Sequence, residues 1–89
     1  MTNNQYSALA TSGSHDVVAT ATNLTLYTVN CPIALTGTAT FRDKEASPAT
    51  YFVLPVGTIG MFRFDASLPL GLNVDMTAND TIIVAYQTP

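Results

Sequence analysis

Apolar and polar residues alternate along much of this chain. The pattern is clearest at residues 72–76, where Leu72, Val74 and Met76 alternate with Asn73 and Asp75. A period of two places one row of side chains on a core and the other in water, so this run is a predicted strand. It lies between two other apolar runs, at 58–66 and 81–87. Leu68-Pro69-Leu70-Gly71 and Ala78-Asn79-Asp80 separate the three as loop and turn.

The same reading extends toward the N-terminus. Residues 16–22 predict a strand with Val18, Thr20 and Thr22 on one face. Residues 24–30 predict a second, ended by Cys31-Pro32 because proline donates no ladder hydrogen bond. A short apolar link, 33–35, leads to a third over 36–42. Residues 49–54 are continuously β-prone and read as a strand buried on both faces. Pro55-Val56-Gly57 reads as a turn. Seven to eight short strands, spaced by about ten residues with no helical period, predict an all-β fold: an antiparallel β-sandwich or a jelly-roll-like small barrel.

Residues 1–15 are small and polar, with Tyr6 and Leu9 as the large apolar exceptions. They predict a flexible N-terminal arm, leaving 16–89 as a single domain. With 89 residues the chain is long enough for one thin core and not for two.

Composition changes the picture in one respect. Only 10% of residues are charged although 47% are hydrophobic, and fourteen are Thr. Typical soluble domains are about 25% charged. Threonine suits a pleated surface, and a charge-poor surface suits burial by neighbouring subunits. Self-association is therefore expected. The net charge of −3 with three Lys plus Arg disfavours nucleic acid and basic membrane-surface binding. No run approaches the roughly 18 apolar residues of a transmembrane helix. The first residues lack a secretory pattern, and a single Cys allows no intrachain disulfide, so assembly in a cytoplasm is expected.

Candidate chemistry is sparse. His15-Asp16 is a possible base pair, outweighed by a surface histidine. Asp75, Asn79 and Asp80 carry oxygen ligands suited to Ca²⁺, but lack EF-hand spacing and read better as turn residues. Asp43 with Glu45, or Asp65 with Asp75, are conceivable carboxylate pairs. Arg42 and Lys44 compensate the first pair, and Arg63, two residues from Asp65, makes an ion pair the simpler account. Phe52, Phe62, Phe64 and Tyr86 read as core. Asn23 and Asn79 match the glycosylation pattern but are expected to be unused. No catalytic residue, metal or cofactor is assigned, and the chain is read as a non-enzyme.

The Thr-rich strand texture, with Gly71-Leu72-Asn73-Val74-Asp75, an Asn-Asp turn and Thr81-Ile82-Ile83-Val84-Ala85-Tyr86, resembles small virion proteins of tailed phages. The resemblance implies a one-domain module that decorates or cements a capsid, or serves in a tail or fibre. It implies an oligomer, commonly a trimer, held on a virion surface against the major capsid protein or another virion protein. Tyr6, Leu9, Ile33 and Leu35 are the expected interface contacts, with Arg42 and Lys44 facing solvent or a neighbour. A carbohydrate- or receptor-binding module using Tyr27 or Tyr51 is the alternative, and a small hydrolase a distant third.

Overall fold

The computed structural model describes residues 5–44 and 49–88. Eight strands run in chain order: β1 (Gln5–Leu9), β2 (Gly13–Val18), β3 (Leu24–Cys31), β4 (Ala39–Arg42), β5 (Thr50–Leu54), β6 (Gly60–Leu68), β7 (Leu72–Met76) and β8 (Ile82–Gln87). They form two antiparallel four-stranded sheets, ordered β1-β8-β3-β6 and β2-β7-β4-β5. The pairs β1·β8, β2·β7, β3·β6 and β4·β5 nest one inside the next. A long hairpin rolled over on itself gives that nesting, which is the eight-stranded jelly roll. The sheets stay separate and do not close into a barrel. The result is a slab with extents of 33 × 31 × 17 Å.

The core lies between the sheets, and the alternation at 72–76 points where the sequence placed it: Leu72, Val74 and Met76 are buried. Ile82 and Val84 of β8 face them with Leu24, Leu26, Val29 and Cys31 of β3. Those β3 positions change parity midway. Tyr27 is an extra residue relative to β8, where Leu26 pairs with Tyr86 and Thr28 with Ala85. This bulge turns Val29 and Cys31 inward; strict alternation would have buried Thr28 and Asn30 instead. On the other side of β3, Phe64 and Asp65 of β6 both lie opposite Tyr27, and Asp65 takes a φ of 48°. The side of the sandwich where β5 and β6 form the sheet edges is closed by stacked rings, Phe41 on Phe52 and Phe52 on Phe64, with centroids 4.5 and 4.7 Å apart.

Three expectations are corrected. From Gln5 onward the predicted arm is built into the sheets: β1 pairs with β8, and residues 13–16 pair with β7. An edge strand needs backbone partners on one side only, so its polar side chains remain in water. The strand expected over 16–22 ends at Val18, and Thr20 and Thr22 form a turn. The 49–54 run is an edge strand, not one buried on both faces: Val53, on the outer face of β5, is 50% exposed. The part of the predicted 42–48 loop beyond Lys44 that precedes Ala49 lies outside the described residues.

Candidate functional site

The expected dyad is not assembled. His15 pairs with Val74 and Asp16 with Asn73, so the two side chains leave opposite faces of β2. His15 Nε2 donates to the Thr11 carbonyl at 2.6 Å. Asp16 accepts from Asn73 Nδ2 at 2.9 Å and pairs with Lys44 at 2.8 Å. Those two donors, Lys44 first, hold the Asp16 carboxyl below its ordinary pKa. Asp65 and Asp75 lie on different sheets. Asp65 is paired with Arg63 at 2.7 Å, as its spacing suggested, and Asp75 with Arg42 at 3.3 Å. Asn79 and Asp80 act as loop clips: Asn79 Oδ1 accepts from Ser12 N at 2.8 Å, and Asp80 from Thr36 and Gly37. Among the described residues no three of His, Cys, Asp and Glu gather at metal-binding range. A hollow of about 160 Å³ is lined by Asn23, Leu24, Thr25, Gln87 and Thr88, with no titratable side chain. Tyr27 gives its hydroxyl to Gln87, and Tyr51 gives its own to the Gly71 carbonyl.

Of the expected interface residues, two belong to the chain's own core. Leu9 is 6% exposed and Leu35 2%, because β1 folds onto β8 and the 33–35 link is tied down by Leu35 N–H to Thr58 O and Gly57 N–H to Leu35 O. Tyr6 and Ile33 remain outside, 71% and 68% exposed. Arg42 and Lys44 are committed to ion pairs on the outer face of the β2-β7-β4-β5 sheet.

That face is one of three distinct surfaces. With Arg42, Lys44, Asp16 and Asp75 it is polar and charge-balanced. The second surface is the end where 31–35 meets 55–59, which exposes Ile33, Val56 and Ile59. The sequence from 46 to 62 contains no charged residue, so no charge in that stretch resists desolvation. The third is the outer face of the β1-β8-β3-β6 sheet. Ile82 and Val84 point inward, so Ile83 and Ala85 point outward. Register then aligns Tyr6, Ala85, Thr28 and Arg63 in one row, and Ala8, Ile83, Asn30 and Met61 in the next. Both rows are uncharged except at Arg63 on the edge, with Thr28 and Asn30 as polar members. Sequence reading missed Val56, Ile59 and Met61. Their signal was the placing of bulky apolar residues around a Pro-Gly turn, where polar ones are usual.

No protein-family model matches the sequence, and no curated protein matches it. Solved structures do. The fold is similar to that of the Drosophila NLP core, described as giving insight into pentamer formation and histone binding. The TM-score is 0.59, with 13% identity over 94% of this chain and 95% of that one. It is also similar to that of a Bacillus endospore appendage, described as a novel family of disulfide-linked pili. There the TM-score is 0.61, with 9% identity over 99% of this chain and 87% of that one. At these identities the likeness is one of fold.

Proposed function

We propose that this jelly roll is a structural module that assembles with copies of itself on a larger particle, in the manner of a capsid decoration or cement protein. The observation that carries the reading is the uncharged apolar end formed by Ile33, Val56 and Ile59. A monomer in water gains nothing from three bulky apolar side chains exposed at one end, and exposed apolar patches mark contacts. The internal commitment of the polar groups supports the same reading. Asp16, Asp75, Asp80 and His15 are each engaged in holding strands and loops together. The two solved structures of similar fold come from a pentamer and from pili, so the architecture supports assembly elsewhere.

The test is mass spectrometry of particles purified from the cells that make the protein, followed by rebinding. The chain should be found at a fixed ratio to the shell protein. A Val56→Asp/Ile59→Asp variant should fold but fail to bind stripped particles. Absence of the chain from every particle fraction, or undiminished binding by the variant, would overturn the reading.

A further inference from the structure

We propose that the hollow at the 23–25 end of the sandwich is a binding site for one neutral sugar ring, such as the terminal residue of a glycan. The site is separate from the apolar end, and its binding does not depend on assembly.

The first observation is which polar groups stand unengaged. The hollow is lined by Asn23, Leu24, Thr25, Gln87 and Thr88. Thr25 and Gln87 are direct partners across β3 and β8, so their side chains share one face. Each carboxamide is held by its oxygen: Gln87 Oε1 accepts from the Tyr27 hydroxyl, and Asn23 Oδ1 accepts from the Ser67 hydroxyl at 3.3 Å. Both amide N–H₂ groups are left without an acceptor among the described residues. The Thr25 hydroxyl has no partner there either, and Thr88, which donates to Gln5 at 3.2 Å, keeps its lone pairs. On the other sheet the charged and carboxamide groups hold each other: Arg42 with Asp75, Lys44 with Asp16, and Asn73 with Ser14 and Asp16.

The second is the ligand those groups take. No titratable side chain lines the hollow, and Arg63 is taken by Asp65 at 2.7 Å. A charged ligand would lose its hydration with no opposite charge to replace it. An apolar ligand would leave the amide N–H groups unpaired. A ring carrying several hydroxyls supplies acceptors to the amides and donors to the Thr88 oxygen. Size agrees. The hollow holds about 160 Å³, and a cavity of about 150 Å³ accommodates one benzene ring. One six-membered sugar ring fits, with any further residue in solvent.

The third is position. β3 starts at the hollow and finishes, at Cys31, where the apolar end begins. Its eight residues separate the two by roughly 24 Å. A module attached to a particle through Ile33, Val56 and Ile59 therefore carries the hollow at its far end. That presentation rests on the assembly reading.

Titration of the isotope-labelled chain with glucose, galactose, mannose and N-acetylglucosamine, followed by amide NMR shifts, tests the site. At least one sugar is expected to shift the signals of 23–25 and 87–88 saturably, with a Kd on the order of 1 mM. Thr25→Val/Gln87→Met removes hydrogen-bonding groups at similar volume. It is expected to weaken that binding about tenfold while keeping a β-type circular-dichroism spectrum. Should that pair unfold the chain, Thr25→Val alone makes the same test, with about a threefold loss expected. Shifts that stay absent or unsaturated for all four sugars at about ten times that concentration overturn the inference. So does saturable binding that the variants leave unchanged. Val56→Asp/Ile59→Asp should bind the sugar as the wild type does. Sugar binding by a chain that no particle retains defeats the functional reading alone; particle binding by a chain that takes no sugar defeats this inference alone.

Discussion

Asp80 closes onto Thr36 across 44 residues of chain. Its carboxylate accepts from the Thr36 N–H at 3.0 Å, the Thr36 hydroxyl at 2.8 Å and the Gly37 N–H at 3.0 Å. The clip fastens the loop before β4 to the start of β8, so it joins the two sheets at one end.

The first prediction follows from that clip. The N–H groups of Thr36 and Gly37 hold the Asp80 carboxyl below its ordinary value of 3.8. Lys44 and Asn73 do the same for Asp16. A carboxyl with a depressed native pKa binds its proton more readily in the unfolded chain. Its contribution is complete above the unfolded pKa, about 3.9 for Asp, and is lost as pH falls through the lower native value. Thermal unfolding followed by circular dichroism should therefore show the melting temperature falling steeply below about pH 4. Asp80→Asn, which removes one acceptor oxygen, should melt lower at neutral pH and show a shallower acid limb. Parallel acid limbs for the two proteins would refute the role given to Asp80.

A second prediction concerns the aromatic column. Phe41 is fully buried, and Phe52 and Phe64 are half-buried and stacked beyond it. Phe41→Ala removes a ring from a closed space and should cost about 3–5 kcal/mol. Phe52→Ala and Phe64→Ala should cost less, since part of each ring already meets water. A double-mutant cycle between Phe52 and Phe64 should return a coupling of about 0.5–1.5 kcal/mol. Urea titrations measure all three. Additive losses at Phe52 and Phe64 would mean that the stacking contributes nothing of its own.

How far the sequence revealed this fold depends on which residues are considered. Leu72, Val74 and Met76 announced a strand and its buried face, because alternation is a local property. The inward turn of Val29 and Cys31 was not legible. It depends on a bulge at Tyr27, which exists only relative to β8 and β6. The Gln5–Leu9 strand was hidden for a related reason: an edge strand with a mostly solvated face has the composition of a loose terminus. The candidate surfaces divide the same way. Exposed Tyr6 and Ile33 were picked out as apolar residues in polar or linking segments. Leu9 and Leu35 looked identical by that criterion and are core. The outer face of the β1-β8-β3-β6 sheet needed the register of four strands to bring Ala8, Ile83, Asn30 and Met61 into one row.

The glycines give a third prediction, because two with the same backbone preference differ in their surroundings. Gly57 and Gly71 have φ of 91° and 79°. A Cβ on Gly57 would meet nothing within 4 Å, whereas one on Gly71 would lie 2.2 Å from the Thr20 carbonyl oxygen. Gly71 also donates its N–H to Thr22 O, so the 20–22 turn cannot retreat without losing that bond. Gly57→Ala should cost only the left-handed backbone penalty, about 1–2 kcal/mol. Gly71→Ala should cost at least twice as much. Equal losses in urea unfolding would show that the 20–22 turn yields freely.

The last prediction uses Cys31 as an internal probe. Its side chain is fully buried in the core at the end of β3. Burial, with a smaller contribution from the negative charge of Asp80, raises the thiol pKa above its ordinary 9.0. Thiolate is the reactive form, so at neutral pH the native protein is doubly protected, by access and by protonation. Labelling with a maleimide should be slow and limited by opening of the sheet pair. It should accelerate with urea along the global unfolding curve. Asp80→Asn should speed it, because loosening the clip frees the end of the sandwich beside Cys31. Removing the negative charge also lowers the thiol pKa and so acts in the same direction, and the urea dependence of the rate reads the loosening of the clip separately. Prompt labelling in buffer at the rate of a free thiol, with the protein still folded, would show that the end of β3 is open to solvent and that the sandwich is not closed there.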